Sequence, residues 1–446
     1  MTTFFGSVWW MIVSIGILVT FHEFGHFWMA RRFGVHVLRF SIGFGKPLFK
    51  RIGKDGTEYV IAAIPLGGYV KMLDEHEFEI DPADRHRALN RKPVLQRMAI
   101  AAAGPAANFL LCFVLFWAMF VVGQPDYLPI VGKAQGLAAQ AGFLPGDRLT
   151  RIDGEAVGTW TDSDMVLTAA VMERKPVNVE VTRNDGGHAV RNLNLSMIPA
   201  GLATGEAMKL IGFMSQQSLA PPAIASIDAT GPTNLLYPGD VILAIDGSPP
   251  KGVEDVPRLV GKLAKAGVPL HLLIQRGTQK IAIDVTPKLR ASGKENPHLT
   301  IGITVAPPDY DGIRHYGPIA AVGASANEMR RQVSAYFGLV QRIFMHGETQ
   351  DISSVVGIAQ AANQSAQLGL ASFLFFLGVL SLSLGILNLL PVPILDGGHL
   401  LYYLMELVKG SPVGERTLVV GQYIGLAMLS GLMCLAFYND LLRPPS

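Results

Sequence analysis

The chain has 446 residues, 50% of them hydrophobic and 16% charged, with 37 Lys and Arg against 35 Asp and Glu. Charged residues make up roughly a quarter of an ordinary soluble domain, so this composition excludes a typical cytosolic globule, and a formal charge of +2 gives no general electrostatic reason to bind nucleic acid. Cys112 and Cys434 both sit in apolar runs, which argues against a disulfide scaffold or thiolate cluster; a metal here has to be held by His, Asp or Glu.

The first predicted element is a membrane span. Residues 1–21 carry no charge, and the apolar run from Val8 to Phe21 continues as helix-compatible sequence through Ala30, long enough to cross about 30 Å of hydrocarbon. It lacks the basic leader and small-residue cleavage site of a signal peptide. It closes on HEFGH, His22 to His26. On a helix these two imidazoles lie one turn apart on one face, where both reach one ion, and Glu23 is placed to take a proton from water at that ion. Ionisable groups at the end of an apolar span are costly and are read as functional. Met29 and Arg32 occupy the places where an extended metzincin motif carries a glycine and a third histidine, so a third ligand has to come from elsewhere.

Residues 31–97 are rich in Arg and Lys, and the positive-inside rule makes this loop cytoplasmic. Within it, Thr57 to Met72 has strand-like stretches on either side of Pro-Leu-Gly-Gly. It reads either as a small cytoplasmic β element or as a hairpin reaching toward HEFGH, with Gly67 and Gly68 bare enough for an extended peptide to approach. The second span, Met98 to Gln124, contains GPAANF. Asn108 there is expensive in hydrocarbon unless hydrogen-bonded. Asn108 and Asn388 either join helices that Gly104, Ala106 and Ala107 allow to approach, or hold a substrate carbonyl or oxyanion.

The segment from about 125 to 310 has ordinary charge density and an internal repeat: PGDRLTRIDG (Pro145 to Gly154) returns 93 residues later as PGDVILAIDG (Pro238 to Gly247). Turn residues bound short strand patterns in each copy, followed by VNVEVTR in the first and LHLLIQR in the second, which predicts two compact β-rich modules. A helix is predicted over Glu254 to Lys265, and an amphipathic surface or linker helix over Ile319 to Met345. The third span, Ser372 to Leu395, ends in NLLPVPILDGGHL, and a fourth covers Thr417 to Phe437. Prolines interrupt a helix, and at membrane depth such a break has to face protein or a cavity; Asp396 beside it wants a cation. The first and third spans both run inward, so His26 and Asp396 fall near the same cytoplasmic end and can share one site, with His399 as an alternative ligand.

HEFGH, GPAANF, NLLPVPILDGG and the duplicated PGDxxxxIDG together resemble the site-2 protease family of intramembrane zinc metalloproteases, in its bacterial form, over essentially the whole chain. The resemblance implies a polytopic α-helical membrane protein with four transmembrane helices, a membrane-associated β region and two tandem extracytoplasmic PDZ-like domains. Its parts would be 1–124, a membrane catalytic part with two spans and the β region; 125–215 and 216–308, the PDZ-like domains; 309–371, an extracytoplasmic linker with an amphipathic helix; and 372–446, a second membrane catalytic part with two spans.

It further implies Zn²⁺ on His22, His26 and Asp396, with Glu23 catalytic and Asn388, Pro391 and Pro393 in support. The implied partners are the lipid bilayer, single-pass membrane protein substrates and an upstream site-1 type protease that trims them first; in the bacterial branch the substrate is an anti-sigma factor of the envelope stress response, and remnant signal peptides are also cleared. The implied place is the bacterial inner membrane, with the PDZ-like domains in the periplasm, the active site near the cytoplasmic side and no nucleic acid bound. One departure is SVVGIAQ, Ser354 to Gln360, where bacterial relatives carry a Gly-Pro-Ile turn. A cation transporter is disfavoured by the absence of an inverted repeat, and an inactive PDZ scaffold by the presence of His22, Glu23, His26 and Asp396.

Overall fold

The computed structural model describes the chain apart from residues 1, 76–78, 200–201, 203, 228–234, 254, 291–297, 347–354, 412–413, 415–418, 428–429, 432 and 435–446. The described residues divide into two compact units, one from the chain up to residue 122 together with the part from 316 onward, the other from residues 123–315.

The first unit is helical and apolar. Its helices are α1 (Thr2–Arg32), α2 (Val94–Val122), α3 (Pro318–His346), α4 (Val355–Gln367), α5 (Leu370–Asn388) and α6 (Asp396–Lys409). Among the described residues, α1, α2 and α5 are long and apolar enough to cross a membrane. Lipid is as apolar as Leu, so such helices associate through close packing and hydrogen bonds rather than a hydrophobic drive. The contacts follow that rule: Gly25 of α1 lies against the Ala103 carbonyl of α2, Gly378 of α5 lies on the Phe116 ring of α2, and Ser381 Oγ donates to the Asn108 carbonyl at 2.9 Å. The predicted surface helix is α3, and it is a packed element: Met329, Val333 and Tyr336 turn onto the cluster of Cys112, Phe116 and Leu382.

The third apolar run extends to Leu395, but α5 stops at Asn388. Pro391 and Pro393 have no N–H to donate and disfavour helix in the residues before them. The chain turns through residues 389–395 and restarts at Asp396, the first residue of α6. Glycine is required just after it, because a Cβ on Gly397 would strike the Leu389 and Leu390 carbonyls and one on Gly398 the Val392 carbonyl. Pro393 rests beside Gly421 and Gly425 of a helical stretch at 419–427; the rest of the predicted fourth span lies largely outside the described residues. Of SVVGIAQ, Val355 onward begins α4, and Ser354 is outside the described residues.

Between α1 and α2 lie two long strands, β1 (Val37–Ile52) and β2 (Glu58–Met72). They fold back on each other: Ser41 has Tyr69 on one side and Val60 on the other, while Lys50 pairs Val60 from beyond. The pairs make Gly68–Met72 an outer strand beside Val37–Ile42. Phe40, Val35 and Val37 pack with Phe27 and Ala30 of α1 and Ile100 of α2, holding the sheet on the helices.

The second unit holds two β-rich modules. In the first, strands Glu155–Ala156, Arg148–Ile152, Pro176–Thr182 and His188–Asn194 form a sheet in that order, beside a helix Trp160–Glu173 capped by Thr159. In the second, strands Val241–Ile245, Leu270–Arg276 and Gln279–Val285 pair beside a helix Asp255–Leu263, with Pro257 in its first turn. The two cores keep the sequence offset residue by residue: Val131 and Ile224, Leu149 and Ile242, Ile152 and Ile245, Val179 and Leu272 are all buried. The repeated aspartates explain the motif. Asp147 accepts from Leu144 N–H and Asp240 from Tyr237 N–H, closing each Pro-Gly-Asp turn. Asp153 and Asp246, both at positive φ, accept from Asn178 N–H and His271 N–H and so tie each Asp-Gly turn to the next strand.

Arg276 grips the buried Asp240 through two bonds of 2.7 Å and holds its carboxyl below the usual range. Arg276→Ala is expected to destabilise the chain, because it leaves the buried Asp240 carboxylate without its cation, by less than a fully buried pair would because the arginine is partly exposed. A depressed carboxyl pKa stabilises above the unfolded value of about 3.9 and loses that contribution as pH falls through the folded value. Denaturant unfolding should therefore show the full gap between variant and wild type at pH 7 and a closing gap below about pH 4.

Candidate metal centre

HEFGH lies within α1, and helical spacing brings both rings to one face. Asp396, at the start of α6, meets them there. His22 Nε2 is 3.2 Å from Asp396 Oδ2, His26 Nε2 is 3.4 Å from Asp396 Oδ1, and the two Nε2 atoms are 3.3 Å apart. Among the described residues this is the one group of three such side chains placed to hold a metal ion.

The donor set fits zinc. Bonds of about 2.0–2.1 Å in a tetrahedral arrangement set neighbouring ligand atoms roughly 3.3 Å apart; the two Nε2 atoms stand at 3.3 Å, and each lies within 3.4 Å of one carboxylate oxygen of Asp396. Asp396 Oδ2 is buried with no aligned hydrogen-bond donor despite its nearness to His22, as suits an oxygen whose lone pair is reserved for a cation. Two nitrogens and one oxygen from three residues leave a fourth position open, the arrangement of catalytic rather than structural zinc.

Each ring is fixed from behind. His26 Nδ1 lies 2.8 Å from the Ile100 carbonyl of α2, so its N–H donates there and Nε2 faces inward. His22 Nδ1 lies 3.0 Å from the Asn108 amide. Gly104 supplies the floor: a Cβ there would overlap His26 Nε2 and crowd the Cε1 atoms of both rings. A small residue at that point is what allows α2 to pass beneath the histidines.

The triangle opens into a cavity of about 820 Å³ lined in part by Glu23, Tyr69, Val70, Asn388 and His399. Glu23 stands outside the ligand triangle and on the wall, interacting with the Val70 backbone. Gly68 packs behind it, where a Cβ would come 3.2 Å from Glu23 Cγ and 2.7 Å from the Ser41 carbonyl; Gly67 has φ +117° against the Phe44 ring. Both glycines are thus spoken for by the chain's own packing. Asn388 is on the cavity wall, whereas Asn108 is fully buried behind His22 and off it. Pro391 and Pro393 lie in the turn between the end of α5 at Asn388 and the start of α6 at Asp396. His399, a turn beyond Asp396, lines the cavity but lies outside the ligand group.

Two features go beyond the sequence reading. Gly104 is recognisable there only as a small residue. Arg97 and Glu406, both largely buried, form a two-bond pair of 3.0 and 2.6 Å that ties the start of α2 to the helix bearing Asp396.

A model of the family described as peptidase family M50 matches residues 10–432. A protein of Xylella fastidiosa is 48% identical over 99% of this chain and 100% of its own length. Protease RseP of Yersinia pestis is 36% identical, and the regulator of sigma-E protease RseP of Escherichia coli 37% identical, each over 97% of both chains.

Proposed function

Because this chain belongs to peptidase family M50 and is an intramembrane metalloprotease of the site-2 type, we propose that it cuts the membrane-spanning segment of single-pass proteins whose outer part a site-1 type protease has already trimmed. The observation that carries this reading is the triangle of His22, His26 and Asp396 with Glu23 beside it, built on a helix apolar enough to cross a membrane. The substrate we propose is an anti-sigma factor in envelope stress signalling, supported by the name of the Escherichia coli relative, a regulator of sigma-E protease matched along nearly its whole length. Remnant signal peptides are a second substrate class.

In this reading His22, His26 and Asp396 hold Zn²⁺, which when bound supplies a Lewis acid for the scissile carbonyl and lowers the pKa of water. Glu23 accepts the proton of the attacking water and returns it to the leaving amine. Asn388 lies on the wall within reach of a bound peptide, and Pro391 and Pro393 support Asp396 from the preceding turn. A substrate helix has to unwind to offer its carbonyl, and an extended peptide beside Tyr69–Met72 would add a strand to the sheet. Gly67 and Gly68 hold that strand close to Glu23.

Positive charge in residues 31–97 supports a cytoplasmic position for that loop. It follows that the site opens near the cytoplasmic side of the bacterial inner membrane and that the modules at 125–215 and 216–308, read as PDZ-like domains, stand in the periplasm. The modules then act as a gate that admits a trimmed stump and refuses a folded outer domain.

Two measurements test this. Cysteine labelling at positions 79–90 should report cytoplasm and at positions near Asp240 the outside; the reverse pattern would end the orientation. Purified enzyme given one membrane segment with either a short tail or a large folded outer domain should prefer the short tail at least about tenfold, a difference of about 1.4 kcal/mol. A chain lacking both modules that still binds zinc should lose that preference; if it keeps it, the gate is wrong, and if cleavage follows a free terminal carboxylate instead, the modules recognise the trimmed end.

A further inference from the structure

We propose that Asn108 is the positioning residue that readies His22 for the metal: its carboxamide oxygen accepts the Nδ1–H of His22, so that Nε2 keeps a bare lone pair toward the ion. This rests on the reading of His22 as a ligand. Three observations carry it. Asn108 is fully buried on α2, and its amide meets His22 Nδ1 at 3.0 Å, on the side of the ring away from the triangle. With the amide nitrogen toward the ring, Asn108 Oδ1 is left buried with no partner. Asn108 is also anchored independently of the ring, since its backbone carbonyl accepts from Ser381 Oγ of α5 at 2.9 Å.

The chemistry decides which way the amide turns. A neutral imidazole has one N–H and one lone pair. If Asn108 donates to Nδ1, the ring proton is on Nε2, and a protonated nitrogen cannot ligate. If the amide is turned by 180°, Oδ1 receives the proton of Nδ1 and Nε2 is free. Oxygen and nitrogen of a carboxamide are assigned from their hydrogen bonds; with the nitrogen toward the ring Oδ1 has no partner, and only the turned amide lets His22 serve the ion. His26 is already set in the same way by the Ile100 carbonyl. The two ligands of one motif are therefore held by two acceptors from a single helix, one from the backbone and one from a side chain. Partners of this kind are worth about 10–100-fold in metal affinity.

The test compares zinc affinity, by competition with a chelator, for the full chain in detergent carrying Asn108→Leu, Asn108→Asp, Ser381→Ala or His22→Ala. Asn108→Leu, which keeps the volume and removes the acceptor, should bind zinc about 10–100-fold more weakly, while its metal-free form unfolds at the wild-type temperature. Asn108→Asp restores an acceptor and should bind within about threefold of wild type, and Ser381→Ala, which disturbs the α2–α5 contact alone, should do the same. Wild-type affinity in Asn108→Leu would overturn the proposal. Unchanged zinc in His22→Ala would instead overturn the ligand reading on which it rests. A measurement on unaltered protein guards against variants that fail to fold: with ¹⁵N-labelled histidine and bound zinc, His22 should show a protonated, hydrogen-bonded Nδ1, and a protonated Nε2 would equally sink the idea.

Discussion

Replacing Glu23 with Gln is expected to lower the single-turnover cleavage rate by about 10²–10⁴-fold, the usual worth of a general acid–base group, with zinc content unchanged. The reason is where the side chain stands. Glu23 is on the cavity wall and outside the group of atoms that can share an ion, so its loss removes a proton carrier and leaves the ligands in place. Gln has the same length and fills the same space against Gly68, which keeps the sheet in position. Asp396→Ala should do the opposite and lower zinc occupancy along with activity. Loss of zinc from Glu23→Gln would make Glu23 a ligand, and full occupancy in Asp396→Ala would remove Asp396 from the set.

Gly104→Ala should abolish both metal binding and cleavage, with zinc affinity falling by more than about 100-fold, beyond the usual effect of an outer partner. A single methyl is enough because of what surrounds it. The new Cβ would overlap His26 Nε2, and α2 cannot withdraw to make room without losing its contact between the Ala103 carbonyl and Gly25. The rings have to rotate off the triangle instead. Gly378→Ala is the matched control: its Cβ would press on the Phe116 ring elsewhere in the same bundle, so it should cost stability and leave zinc bound. Zinc in Gly104→Ala at the wild-type level would show that the histidines do not lie over α2 as described.

Several parts of the molecule are legible without coordinates because their determinants are local. Two histidines four residues apart share a helix face whatever the helix packs against. A run of apolar residues long enough for hydrocarbon predicts α1, α2 and most of α5. The 93-residue repeat predicts two modules, and Val131 with Ile224 or Leu149 with Ile242 occupy the same place in each. Even inside that repeat, however, the aspartates find different cations. Asp240 is gripped by Arg276, while Asp147 faces Arg191 at 3.6 Å, from a strand that no motif singles out.

β1 is the element the sequence hides. VLRFSIGFGKPLFKRI contains two glycines at positive φ, one proline and four cations, so it has no clean alternation and reads as a charged loop. It becomes a strand because both halves of β2 pair with it, a choice made by contacts between residues up to about 35 apart in the chain. Such pairing is decided by the partner strand and by burial rather than by local preference.

Sequence alone determined that this is a membrane protein, that His22, Glu23 and His26 form one constellation, and that Asp396 stands beside a proline break. Composition and spacing suffice for these, since each depends on neighbours along the chain. Only the folded bundle decided that Asp396 reaches both histidines, that Gly104 lies beneath them, and that Asn108 backs His22 while Asn388 faces the cavity. Those facts depend on how far each helix is turned about its own axis, and that rotation is set by every contact of α2 with α1, α5 and α6 together, a sum that no stretch of the chain carries by itself.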